Sequence, residues 1–175
     1  MDPNTRVRHL VTTYSDQILR LCYSYLRSRP DAEDVTQEVL LRALEHAPDF
    51  TGPDHEKAWL LRTAINRCTD IVRSAAYQRV DSSTSAQRHL QVVVDPAPAV
   101  EEQVLHSAPD QSALTTAISR LAPEYRVAIH LYYFEGYSAR DIADLTGDSP
   151  NTIHQRLSRA RAQLRVRLEG ERSHA

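Results

Sequence analysis

Lysine is almost missing from this chain: Lys57 is the only one, and arginine carries the rest of the side-chain positive charge apart from histidine. That usage points to a GC-rich genome more than to any chemistry. No overall excess of positive charge exists either. The formal net charge is −2, which excludes a generally basic protein that coats nucleic acid by charge alone. Cysteine is scarce as well. Cys22 and Cys68 stand far apart without a C-x-x-C pair, so no disulfide framework or zinc site is expected, and a reducing cytoplasm fits. No apolar run is long enough to span a bilayer, and the opening residues do not read as a secretory signal. A cytoplasmic protein without membrane insertion is therefore expected.

The patterns that carry catalysis are missing too. There is no P-loop, no G-x-G-x-x-G and no G-x-S-x-G. His9, His46, His55, His89, His106, His130, His154 and His174 are scattered, with no H-E-x-x-H spacing among them. No catalytic residue, metal or cofactor is expected, and the chain does not read as an enzyme.

What is present is helical periodicity. With 175 residues the chain can form one or two small domains. The first part, residues 4–80, holds three amphipathic patterns. Leu10, Tyr14, Ile18, Leu21, Cys22 and Tyr25 make the first stripe, which Pro30 breaks. Asp31 is placed to cap a second helix with Val35, Val39, Leu40 and Ala43 inward, ending before Pro48. A loop with Gly52 and Pro53 leads to a third pattern with Trp59, Leu60, Ala64, Ile65, Cys68 and Val72. Residues 81–110 are polar, Pro-bearing, weakly periodic and acidic on balance, which predicts a flexible linker. Residues 111–170 are helical again, with Leu114, Ile118, Leu121, Val127, Leu131 and Phe134 spaced as an apolar side. No strand alternation of useful length occurs. The predicted fold is all-α: two small helical domains joined by a flexible linker.

The end of the chain predicts a helix-turn-helix. Ser138 and Asp141 make a capping-box pattern, Gly147 suits a left-handed helix end, and Ser149-Pro150 suits a new helix start. Ile153, Leu157, Ala160, Leu164 and Leu168 mark the buried side of that helix. The opposite side shows Asn151, Thr152, His154, Gln155, Arg156, Ser158, Arg159 and Arg161. A short helix, a tight turn and a second helix with donors near its start can place side chains in a major groove. Although the chain as a whole is weakly acidic, positive charge gathers here: Arg156, Arg159, Arg161, Arg165, Arg167 and Arg172 oppose only Glu169 and Glu171. On spacing alone, a helical hairpin with a solvated basic face accounts for the pattern equally well.

Three stretches in order carry a family resemblance. D-A-E-D-V-T-Q-E-V-L-L-R-A, from Asp31 to Ala43, resembles the core-polymerase-binding helix of bacterial sigma factors. W-L-L-R-T-A-I-N-R-C-T-D, from Trp59 to Asp70, resembles their promoter-melting segment. Y-S-A-R-D-I-A-D-L-T-G with T-I-H-Q-R-L-S-R-A-R resembles their distal helix-turn-helix. Order, spacing and linker are similar to the extracytoplasmic-function type (sigma-70 family, group 4), which keeps a region 2-like helical bundle and a region 4-like helix-turn-helix.

The resemblance implies partners and roles. Core RNA polymerase would be bound through its β′ clamp helices and β flap, alongside promoter DNA. An anti-sigma factor is expected because most members are held inactive by one. Asp31, Asp34, Gln37, Glu38, Leu41 and Arg42 would bind polymerase. Trp59, Arg62, Asn66, Asp70 and Arg73 would act at the −10 element, with phosphates held by arginine and an extruded base by an amide. Trp59 by itself reads first as core. The loop from Phe50 to Glu56 is either the local recognition element of the family or an ordinary charged surface loop. Asn151, Thr152, His154, Gln155, Arg156, Ser158 and Arg159 would read the −35 element. The linker would thread the polymerase cleft or serve as a plain tether.

Two features depart from the family pattern. Asp148-Ser-Pro-Asn-Thr opens the recognition helix where many relatives have an acidic residue and a Gly before the Thr, and His154-Gln155 stands where Lys or Arg with Ser is frequent. The second change favours hydrogen-bond readout over electrostatic grip. An alternative sigma factor is the function implied. The alternatives are a stand-alone helix-turn-helix regulator, which has no use for the first two stretches, and a sigma-like regulator that acts without core polymerase.

Overall fold

The computed structural model describes residues 2–81 and 109–172. Among these, every regular element is a helix. The expected linker, 81–110, lies outside the described residues apart from its ends.

Local chemistry sets the helix ends. Helix α1, Pro3–Leu26, starts at Asp2, whose carboxylate accepts from the Thr5 amide at 3.4 Å. It stops at Arg27, a non-glycine residue in the left-handed region (φ 54°), whose amide closes on Tyr23 O at 2.9 Å. Helix α2 covers Arg29–His46. Asp31 does not cap it, contrary to the sequence expectation. Ser28 is the cap, accepting from the Asp31 amide at 3.4 Å, and Pro30 fits within the first turn, where a missing N–H is harmless. Asp31 instead places its charge by the positive end of the helix dipole. Helix α3, Pro53–Asp81, follows a short loop.

The expected stripes form the core of this bundle. Leu10, Ile18, Leu21 and Cys22 of α1, Ala32, Val35, Val39 and Ala43 of α2, and Leu60, Ala64, Ile65 and Cys68 of α3 are all buried. Burying a side chain of Leu or Ile size contributes about 1.5–3 kcal/mol relative to leaving it in water.

The second bundle comprises α4 (Pro109–Ser119), α5 (Pro123–Ile129), a π-helical turn (His130–Phe134), α6 (Ala139–Thr146) and α7 (Pro150–Arg172). Leu121, Val127, Leu131, Ile142, Ile153, Leu157 and Ala160 fill its interior. Phe134 does not join them. The π turn, closed by Glu135 N–H to His130 O at 3.1 Å, rotates less per residue than an α-helix, and Phe134 at its end is exposed. Leu114, also expected inward, is on the surface. The two bundles lie against each other, α1 packing on α5 and α3 on α6.

Candidate promoter and polymerase surfaces

Helix α2 segregates its residues into two stripes. Ala32, Val35, Thr36, Val39 and Ala43 face the core. Asp34, Gln37, Glu38, Leu41 and Arg42 all face solvent and line a shallow surface that Glu45 and His46 extend. Leu41 is the anomaly: it is 57% exposed in the middle of a charged face. A leucine held in water among charges suits a face completed by a partner. Asp31 sits a turn away from this surface. Glu38 is anchored to α3, accepting from Arg67 Nε at 2.8 Å, so the face has a fixed orientation on the bundle.

On α3, Trp59, Arg62, Asn66, Asp70 and Arg73 recur every three or four residues, so they share one side of the helix. Asn66, Asp70, Arg62 and Arg73 are exposed. Trp59 is half-buried against the core, its ring centroid 5.9 Å from that of Phe50. Phe50 also packs on His55 at 5.5 Å and lies under the Arg6 guanidinium at 5.7 Å. The segment Phe50–Glu56 is therefore not simply a charged surface loop. Glu56 is buried in the first turn of α3. Its carboxylate meets Arg6 Nη1 at 2.5 Å, His9 Nε2 at 3.1 Å and the donating Tyr14 hydroxyl at 3.1 Å. Burial works to raise its pKa, but the bonds from His9, Tyr14 and Arg6 prevail and hold it below the usual carboxylate value. Burial beside that carboxylate pushes the Tyr14 phenol up to about 12.

The helix-turn-helix is built as its caps require. Ser138 and Asp141 bond reciprocally, each backbone amide to the other's side chain at 3.1 Å. The Ser138 hydroxyl, donating to the Asp141 carboxylate at 2.6 Å, and then the Ser138 amide hold that carboxyl below its usual pKa. Gly147 takes φ 77°, which a side chain at that position would strain. Ser149 accepts from the Thr152 amide at 3.1 Å and caps α7. Ile153, Leu157 and Ala160 anchor α7 inward, so Asn151, His154, Gln155, Ser158 and Arg159 remain exposed. Arg156 is half-buried and holds Asp148 with two bonds, at 2.5 and 3.2 Å. That pair ties the turn to the helix, so Arg156 meets Asp148 rather than open solvent.

One exposed surface was not singled out in the sequence. Tyr132, Tyr133 and Phe134 are exposed in a row, with the Arg161 guanidinium 5.9 and 5.8 Å from the two tyrosine rings and its Nε donating to the Tyr133 hydroxyl at 2.8 Å. The adjacency was the available signal: an α-helix turns about 100° per residue, so three consecutive rings cannot all reach one core. His130 is mostly buried with Nε2 3.4 Å from Glu135, and burial lowers its pKa.

These surfaces define a two-part helical protein with a helix-turn-helix in one bundle and an amphipathic helix with an exposed polar face in the other. Residues 10–77 match the Sigma-70 region 2 family, and residues 111–164 match Sigma-70, region 4. The chain is 34% identical over 140 residues to the ECF RNA polymerase sigma factor SigL of Mycobacterium tuberculosis (strain H37Rv), covering 79% of this chain and 75% of SigL. It is 31% identical over 156 residues to the ECF RNA polymerase sigma factor SigE of Mycolicibacterium smegmatis, covering 89% of this chain but spanning only 59% of the length of SigE. In fold it resembles the sigma factor RpoE of Bartonella quintana, solved in complex with the anti-sigma factor NepR, with a TM-score of 0.67, 23% identity and coverage of 93% of this chain and 96% of that one. The chain belongs to the extracytoplasmic-function sigma factors of the sigma-70 family.

Proposed function

We propose that this chain is an alternative sigma factor that binds core RNA polymerase, recognises the −35 and −10 promoter elements and initiates transcription of a specific regulon from the cytoplasm. The observation that carries the reading is the exposed Leu41 within the polar stripe of α2. A stand-alone helix-turn-helix regulator has no use for such a face. Residues 4–80 form the polymerase-binding and melting part, 81–110 the linker and 111–170 the −35-binding part. Asp34, Gln37, Glu38, Leu41 and Arg42 dock on the β′ clamp helices, with Asp31 at the margin. The Tyr132–Phe134 aromatics suit the β flap, since an exposed row of rings beside an arginine is the composition of an interface centre.

The mechanism is one of binding throughout, with no bond made or broken by the chain. Docking on polymerase delivers α3 to the −10 element. There Arg62 and Arg73 neutralise phosphates, and Asn66, whose amide can both donate and accept, holds a base taken from the stack. Trp59 keeps the helix start packed on the core, and Asp70 lies on the same side. At the −35 element α7 enters the major groove with Asn151, Thr152, His154, Gln155, Ser158 and Arg159, while Arg156 orders the turn through Asp148. An anti-sigma factor is part of the proposal, because inhibition by a partner is the common control of such factors. Pull-down with core polymerase followed by promoter-dependent run-off transcription tests the reading. A folded chain that binds duplex DNA but neither polymerase nor supports run-off would show it to be a regulator of another kind.

The recognition helix yields a separate expectation. Arg159→Ala should weaken binding to all sequences alike and lower the salt slope by about one phosphate contact. Gln155→Ala should relax preference at one base position, costing about 1–3 kcal/mol there and little elsewhere. Titrations over single-base promoter variants at two salt concentrations separate the roles. A uniform loss for Gln155→Ala with altered base preference for Arg159→Ala would reverse them.

A further inference from the structure

Among the described residues Glu56 is the only buried carboxylate, 5% exposed in the first turn of α3. Burying a charge there is costly, and apolar side chains of similar volume would hold α1 on α3 as well or better. The charge therefore serves something other than stability. Glu56 gathers three side chains of α1: Arg6 on one carboxylate oxygen, His9 and Tyr14 on the other. Its own amide donates to Gly52 O at 3.1 Å, where the loop from Phe50 enters α3. The start of α1 is thus tied to the end of that loop.

The network reaches Phe50 through Arg6. The Arg6 guanidinium pairs with Glu56 and also lies 5.7 Å from the centre of the Phe50 ring. An arginine can meet a carboxylate and stack on a ring at once, because its cation is planar; a lysine ammonium is a point charge and cannot. On the α3 side Phe50 meets His55 and Trp59 edge to face, at 5.5 and 5.9 Å between ring centres. His55 Nδ1 in turn accepts from the Thr51 amide at 3.3 Å. One cation from α1 and two rings from α3 therefore fix the half-buried Phe50 and the turn from Phe50 to His55. Trp59, Arg62 and Asn66 follow on α3, so this turn stands at the start of the stripe assigned above to promoter melting.

We propose that the Arg6–Glu56 pair, braced by His9 and Tyr14, positions the Phe50–His55 turn for base discrimination at the −10 element. Arg6 and Glu56 are positioning residues. Glu56 is buried and out of reach of DNA, and Arg6 acts through Phe50 rather than on a phosphate. The proposal rests on the reading that this turn and α3 work at the −10 element. It adds a determinant of specificity on α1, more than forty residues away in sequence from the turn it serves.

The test uses the full chain with core polymerase. Run-off rates on promoters with a fixed −35 element and each base in turn at every −10 position give the discrimination, and two salt concentrations give the salt slope. Arg6→Lys keeps a charge beside Glu56 but loses the planar contact with Phe50. Arg6→Met, Tyr14→Phe and Glu56→Leu in one chain replace the network by apolar volume, an exchange that commonly preserves stability. Both variants should lose about tenfold in discrimination at one −10 position, within the range that a single base contact supplies. Thermal unfolding, core affinity and salt slope should stay parental. A uniform loss with a salt slope lower by about one phosphate contact would put Arg6 on DNA and overturn the proposal. Parental discrimination in either folded variant would overturn it too, as would a loss that only follows a fall in thermal stability. If the triple variant fails to fold, Arg6→Lys decides. Trp59, the only tryptophan, gives a reading independent of transcription. Its quenching by acrylamide should rise in the polymerase-free Arg6→Lys chain as Phe50 loosens, and unchanged quenching would overturn the positioning role. A parent holoenzyme that gives no run-off contradicts the sigma reading instead, and the Trp59 measurement still decides whether the pair orders Phe50.

Discussion

Asp34→Ala, Gln37→Ala and Leu41→Ala in one chain should abolish detectable association with core RNA polymerase while leaving the fold intact. All three side chains are solvent-exposed on one stripe of α2, and none belongs to the buried stripe of Ala32, Val35, Thr36, Val39 and Ala43. Alanine is the best helix former, so helicity and thermal unfolding should match the parent. Interface anchors lose about 1–3 kcal/mol each on truncation, and such losses do not add strictly. A combined loss on the order of 4 kcal/mol corresponds to roughly a thousandfold in Kd. Analytical ultracentrifugation or fluorescence anisotropy with core polymerase measures it. A folded triple variant with parental affinity would remove α2 from the interface, and Leu41 would then need another explanation.

Leu157→Ala should have an effect of similar size by a different route. Leu157 is 1% exposed, on the inward side of α7 among Ile142, Ile153 and Ala160. Truncating a buried leucine costs about 2–5 kcal/mol, with the cavity adding to the lost transfer energy. A single core in so short a segment rarely supplies more than about 3–5 kcal/mol. The helix-turn-helix half should therefore lose its cooperative transition in urea and its duplex binding together. The α2 surface lies in the other bundle, so association through it should persist, with only the contact of the Tyr132–Phe134 aromatics lost. Hydrogen exchange read separately over residues 10–77 and 111–164 distinguishes local loss from global unfolding. Protection of the second segment equal to that of the parent would show that Leu157 is not a keystone of that core.

Much of the site was legible along the chain because helix caps and stripes are short-range physics. Ser138 with Asp141, Gly147 and Ser149-Pro150 each bond or turn within a few residues, and each does so as its chemistry requires. The two stripes of α2 follow from helical periodicity, and so does the shared side of Asn66 and Asp70 on α3. Where local rules competed, the reading slipped by one cap: both Ser28 and Asp31 are competent, and the geometry of Arg27 in the left-handed region placed the helix start at Ser28. Glu56 looked like a loop charge because its partners Arg6, His9 and Tyr14 lie in another helix, far away in sequence.

The sequence by itself determined the helical class, the helix ends in the helix-turn-helix, most of each core and the polar stripe of α2. Those depend on contacts between residues three or four apart and on which side chains leave water most readily. Only the tertiary structure decided that Phe134 faces out, since a π turn is one hydrogen bond shifted along an otherwise ordinary helix. It alone decided that Arg126 spends its charge on carbonyls of α1 and that Gln155 and Arg159 look across a cleft at α3. Those relations join residues whose separation along the chain is large, and the energy that sets them is the packing of whole faces and the satisfaction of buried donors. No local periodicity encodes either.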